Sequence, residues 1–287
     1  VSDTFLQAFQ LFAAPFTTAL LLAALLPRLG FWLLLRQQVF LGAAIGQASA
    51  LGFAVALWCG LGSGILHGLT NDSWLIVFGG LSAMAVAVLS LRALSAARSN
   101  LEARSVTVFL LGGSGAMLLM ANDPHGLHEV MRLQSSGMLG ASATDVVIAG
   151  ALLLVTFGAQ QRFHLRLLLW AMDPTQARAQ GMRPINYDVA VGACFGLCVA
   201  FATHATGLLF TVGLLVLPVL LMRELCASLR SVIRFAPIVG AIGTLIALFI
   251  AQKPSVDWPP GQATVALLAV AVLVVRAVRT VRGSIRG

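Results

Sequence analysis

Few residues in this chain of 287 are equipped for chemistry, and several of them are grouped. Asp123, His125, His128 and Glu129 fall within seven residues, with two histidines three apart and a carboxylate alongside. Imidazole and carboxylate ligands at that spacing suit a divalent cation. A solvated polar loop that docks a partner protein explains the same residues and is the reading preferred here. Cys194 and Cys198 stand at i and i+4, a spacing able to hold a soft metal, although small apolar residues packing between helices are the simpler account. Gln47 and Ser49 interrupt an apolar stretch, where they either line a path or bond across helices. His204 lies in the run Thr203-His204-Ala205-Thr206-Gly207, where it could line a mouth or make a structural hydrogen bond. His67 sits in a glycine-rich segment and carries no signal.

The missing chemistry is as informative. Lys253 is the sole lysine, so a phosphate-cradling loop ending in Gly-Lys-Ser/Thr is excluded. There is no His-Glu-x-x-His helix, no Cys-x-x-Cys pair and no Gly-x-Ser-x-Gly elbow. Carboxylates inside apolar runs, the usual proton relays of secondary carriers, are nearly absent. The chain therefore reads as no enzyme, with no catalytic residue and no bound cofactor, and a proton-coupled carrier is disfavoured.

The elements that must position these residues are membrane helices. Hydrophobic residues make up 59% of the chain, charged residues only 10%, and the mean hydropathy is +0.94. A soluble chain carries about a quarter charged residues, so a conventional globular enzyme, a disordered chain and a disulfide scaffold are excluded. The net charge of +8 comes from few charges unevenly balanced, not from basic patches, which also excludes a nucleic-acid binder.

Charge-free runs at 4–27, 37–71, 73–91, 105–122, 146–161, 189–222, 235–252 and 258–275 supply the spans. About 20 residues cross a hydrocarbon core as a helix. The first run is expected to continue past Arg28 to Leu35, weakened at Pro27 and Gly30. The second is expected to cross by about Gly60, and the 189–222 run to split near 203–207. The count is eight crossings, with nine or ten possible. The chain is one transmembrane domain, 1–287, whose longest extramembrane pieces lie at 122–144 and 164–188. The first run lacks a basic leader and a small-residue cleavage site, so it reads as an uncleaved anchor.

Basic residues collect in cytoplasmic loops. Loops at 36–38, 92–104, 162–188 and 223–234, with the tail after 276, take every basic residue except Arg28, Arg132 and Lys253. The opposite side holds Asp3, Asp72, Asp123, Glu129, Asp145 and Asp257. The N-terminus is therefore expected outside and the C-terminus in the cytoplasm.

Within the loop at 164–188, Asp173 can cap a short helix, Pro174 suits its first position and Gly181 its stop. The spacing predicts about two turns over 174–180. Such a helix is either an ordered connector or a docking knob for a cytoplasmic partner, and the spacing does not choose.

Four blocks then resemble the bacterial ABC permeases that import zinc, manganese and iron. Asp173, Pro174, Ala177 and Gly181 match their Asp-Pro-x-x-Ala-x-x-x-Gly coupling segment in register. The run from Leu35-Arg36 to Gly42 is similar to the Leu-Arg-Arg-x-x-Leu-x-Gly start of the second span. Gly207-Leu208-Leu209 and Gly213 to Pro218 resemble the Gly-x-Leu-Leu…Leu-Leu-x-x-Pro block, and Asp257 to Gly261 the Asp-x-Pro-x-Gly loop before the last span. The resemblance covers almost the whole chain.

It implies an all-α metal-type permease fold in the bacterial cytoplasmic (inner) membrane. It also implies a dimer with a second copy or a homologous permease, an extracytoplasmic binding protein that delivers substrate, and cytoplasmic ATPase subunits that use the ATP. Segment 173–182 would be the coupling helix, with Asp173, Pro174, Ala177, Arg178 and Gly181 meeting the ATPase.

One departure stands out. Where the family carries Asp and, four residues later, His in the second span, this chain has Ala43 and Gln47. A glutamine carbonyl can meet a passing cation but supplies no charge. Either a partner permease keeps the ligands, or the substrate needs none and is another small nutrient or a metal chelate. A non-transporting subunit descended from a permease would also lose the pair, but its coupling segment would be expected to decay. The reading is a divalent-metal importer, zinc first and manganese or iron next. Ala43, Gln47 and His204 are its candidate path residues, and Asp123, His125, His128 and Glu129 its candidate outer metal group.

Overall fold

The computed structural model describes residues 13–59, 71–96, 101–122, 124–135, 141–251 and 258–286. These form eleven helices, with no strand among the described residues: α1 (Ala13–Leu35), α2 (Val39–Trp58), α3 (Asn71–Ala96), α4 (Leu101–Met120), α5 (Pro124–Gln134), α6 (Ala143–Met172), α7 (Pro174–Ala179), α8 (Pro184–Thr206), α9 (Leu208–Leu225), α10 (Leu229–Ala251) and α11 (Pro260–Arg286). Inside a bilayer a helix satisfies its own backbone, so apolar runs take this form. Eight of these helices are long and apolar enough to span a membrane, as expected. A further apolar helical stretch, Val77–Arg92, lies within α3.

α2 occupies the middle of the bundle and is buried without a break from Leu41 to Ala50. Lipid tails are as apolar as leucine, so close packing of small residues and hydrogen bonds between helices must hold the neighbours together. Ser82 of α3 donates to the Ala48 carbonyl of α2 at 2.8 Å. Gly192 and Gly196, one turn apart on α8, lie against the α3 backbone. A methyl at Gly196 would come within 2.4 Å of Met84 Cα.

α1 does run through Arg28 to Leu35, with Pro27 inside it. Proline lacks the N–H that would bond the carbonyl four residues back, and the Ala23 oxygen so released lies beside Gly240 of α10. One turn on, a methyl at Gly30 would sit 1.7 Å from the Leu215 carbonyl oxygen, so only glycine lets α9 approach so closely. The 189–222 run splits as predicted, at Gly207, which adopts φ 85° between α8 and α9.

Two extramembrane stretches differ from expectation. Residues 124–134 are a helix rather than a polar loop. Leu127, Val130 and Leu133 recur every three residues and pack on α2 and α4 beside Phe53, Ala54, Ala56, Ala116 and Met120. That periodicity was masked by the charged and histidine residues between them. α6 likewise does not stop at 161 but continues to Met172, leaving helical geometry only at Phe163 (φ −114°, ψ 15°). Arg162, His164 and Arg166 change the polarity of the helix without breaking it.

Candidate coupling and pathway site

The short helix α7 is built as its residues dictate. Asp173 Oδ1 accepts from the backbone N–H groups of Thr175 and Gln176, each at 3.0 Å, and also from the Thr175 hydroxyl. Pro174 takes the first helical position, where a missing N–H does no harm. The helix closes after Ala179, one residue earlier than predicted, when Met182 N–H bonds the Ala177 carbonyl at 3.1 Å and Gly181 adopts φ +77°. That left-handed stop favours glycine. Ala177 is fully buried and faces the bundle, whereas Thr175, Gln176 and Arg178 are exposed. The family-like residues thus divide into cap, anchor and stop, and Arg178 is presented outward.

Behind α7 lies a charged knot that sequence reasoning missed. Arg36, in the turn between α1 and α2, places Nη1 3.3 Å from Asp188 Oδ1 in the first turns of α8. Both side chains are almost wholly buried, at 3% and 0% exposure. Trp170, near the end of α6, donates from Nε1 to the same Asp188 oxygen at 3.0 Å. The Arg36 guanidinium lies 3.6 Å from the Trp170 ring centroid and donates to the Trp170 carbonyl at 3.4 Å. One cation, one anion and one indole therefore tie together α1–α2, α6 and α8, the elements that carry α7. The available signal was Asp188 itself, an acid four residues after Pro184 at the head of an apolar helix, on a side where basic residues predominate.

The candidate path residues lie within the bundle. Gln47 is buried on α2 against the Gly112–Gly113 pair of α4. A methyl at Gly113 would come within 3.2 Å of its Oε1. Among the described residues that oxygen has no hydrogen-bond partner. Ala43, one turn away, is also buried. Ser49 Oγ of α2 and Thr203 Oγ1 of α8 are likewise buried without a partner. His204 packs its ring against Phe53, with centroids 5.5 Å apart.

Of the expected outer metal group, Asp123 lies outside the described residues, as does His67. His125 and Glu129 are placed on α5, with their side chains not described, and His128 is exposed. Among the described residues no group of three or more His, Cys, Asp or Glu is positioned to hold a metal ion. Cys194 and Cys198 lie beside Thr156 Oγ1, at 3.7 and 3.9 Å, and hydrogen-bond each other.

The fold is an all-α bundle of apolar spans with a short capped helix set between two of them. Residues 8–279 match the ABC 3 transport family, and the chain belongs to it. Two solved structures share the fold. PsaBC from Streptococcus pneumoniae, solved in complex with Fab, is 21% identical with a TM-score of 0.73, over 96% of this chain and 95% of that one. A transporter described as of the metal-chelate type, in an inward-facing conformation, is 17% identical with a TM-score of 0.74, over 95% of this chain and 88% of that one. A comparison with curated proteins returned no significant match.

Proposed function

We propose that this ABC 3 permease is the membrane channel of an ATP-driven importer of a divalent metal ion, zinc first and manganese or iron next. An extracytoplasmic binding protein delivers the ion, and separate ATPase subunits drive its passage. The observation that carries this reading is α7, whose cap, buried anchor and left-handed stop are all intact between α6 and α8. A docking knob needs a fixed shape to transmit force, and the Arg36–Trp170–Asp188 knot behind it supplies a rigid mount. ATP binding and hydrolysis would then shift the population between two arrangements of the permease pair.

The permease works as a dimer with a second copy or a related chain in the bacterial cytoplasmic membrane. The N-terminus lies outside and α7 lies inside. Opposite termini need an odd number of crossings, and α3 provides the ninth beside the eight long apolar helices.

A second reading, import of a metal chelate or another small nutrient, is favoured by one feature. Ala43 and Gln47 offer no charge to a bare cation, and Gln47 contributes a single unpartnered carbonyl. Under the metal reading, the partner permease supplies the charged ligands.

The test is uptake. Gly181→Pro, or deletion of 174–180, is expected to abolish ATP-dependent uptake while leaving the chain in the membrane at wild-type amount. Unchanged uptake would overturn the coupling assignment.

A further inference from the structure

Two adjoining cavities open where α7 meets the bundle. The first, about 550 Å³, has Arg166 of α6 and Arg183 before α8 in its wall, together with the Gln180–Met182 turn. Neither arginine has an ion-pair partner among the described residues. The second, about 420 Å³, runs between α1, α6 and α8 and is mostly apolar, with Leu29, Phe163, Leu167 and Phe195 among its lining residues. Asn186 and Tyr187 belong to both walls. Two of the side chains around the apolar cavity each carry a buried polar atom that the bundle leaves unsatisfied. Trp32 and Gln160 line it at 3% and 6% exposure, and neither Trp32 Nε1 nor Gln160 Oε1 has a partner among the described residues. The Gln160 amide nitrogen is already used on the Arg28 carbonyl, at 3.4 Å.

The sequence of chemistries along this crevice is cationic, then hydrogen-bonding, then apolar. We propose that it holds an anionic phospholipid from the leaflet on the α7 side. The phosphate sits between Arg166 and Arg183, and the ester region lies at the junction of the two cavities beside Asn186 and Tyr187. One acyl chain lies along Leu29, Phe163, Leu167 and Phe195. An acidic side chain of a protein partner would use the arginines but leave the apolar half empty. The outward side of α6 agrees with a lipid source. Leu154, Val155 and Leu165 are exposed there, and Ala159 and Phe163 form an exposed lip of the cavity. Basic clusters at a membrane surface attract anionic headgroups, and the cavity falls within the roughly 300–1,000 Å³ of small-ligand sites. This inference rests on the membrane fold alone and is independent of the transported substrate.

The experiment is native mass spectrometry of the full chain in detergent, delipidated and titrated with dioleoyl-phosphatidylglycerol or dioleoyl-phosphatidylcholine. The expected result is one phosphatidylglycerol per chain, bound about 30-fold more tightly than phosphatidylcholine, the preference that two surface arginines confer. Arg166→Gln with Arg183→Gln should remove that preference, and the two lysine replacements should restore it. Ala159→Trp, which fills the apolar half, should release the lipid with both arginines in place. Should that variant fail to fold, the exposed glutamine pair still decides the matter. Equal retention of both lipids, unchanged binding in the glutamine pair, or displacement by soluble glycerol 3-phosphate as effectively as by lipid would each overturn the proposal.

Discussion

The carboxylate of Asp188 governs more of this molecule than any single residue of the path. It is taken wholly out of water; its Oδ1 is held by Arg36 and the Trp170 indole N–H, while its Oδ2 has no hydrogen-bond partner among the described residues. Removing one partner of a buried pair strands the other charge, at about 3–5 kcal/mol, whereas replacing both with apolar residues is often neutral. Arg36→Met is therefore expected to lower the melting temperature sharply, and Arg36→Met with Asp188→Leu to recover most of the loss. Thermal unfolding in detergent measures both, and equal losses in the single and double variants would contradict the pairing. Gln47 makes the opposite prediction. Its Oε1 is buried without a partner, so Gln47→Leu removes an unsatisfied acceptor and should leave stability unchanged or raise it. Under the proposed function uptake should fall, since that reading has the same oxygen meet the substrate. A parallel loss of melting temperature and uptake would make Gln47 a structural residue.

At the scale of elements, α7 stands on three separable parts. Removing the cap with Asp173→Ala costs about 1 kcal/mol of local helix stability, enough to fray six residues but not to unfold the bundle. Uptake is expected to drop several-fold with the melting temperature nearly unchanged, which paired transport and unfolding assays would read. The helix contacts are less forgiving. Gly196→Leu drives a side chain into the Met84 backbone, and the folded fraction recovered from the membrane should collapse. How much of this was legible follows from the kind of signal involved. Apolar runs, the cap-and-stop pattern of α7 and the break at Gly207 depend on residues close in sequence, and the chain states them directly. α5 was hidden because its three apolar residues alternate with histidines and charges. The continuation of α6 was hidden because a basic residue ends a hydrophobic run without ending a helix. The Arg36–Asp188 pairing joins positions 152 apart, and no local pattern carries a contact of that range.

For the whole molecule, membership of the ABC 3 transport family and the shared fold of two transporter structures set the architecture. Among the described residues, several buried polar atoms of the bundle are unpaired. Gln47, Ser49 and Thr203 all present neutral oxygens. Under the proposed metal reading, neutral oxygens pass a cation only if charge is supplied elsewhere, so the test must hold the complete assembly. The direct measurement is ATP-dependent accumulation of radiolabelled zinc in proteoliposomes. They would hold this chain with its co-purified ATPase and partner permease, alongside the 174–180 deletion. The account predicts zinc accumulation above the ATP-free control, weaker competition by manganese and iron, and no accumulation in the deletion. An assembled complex that hydrolyses ATP yet accumulates none of these metals would contradict it.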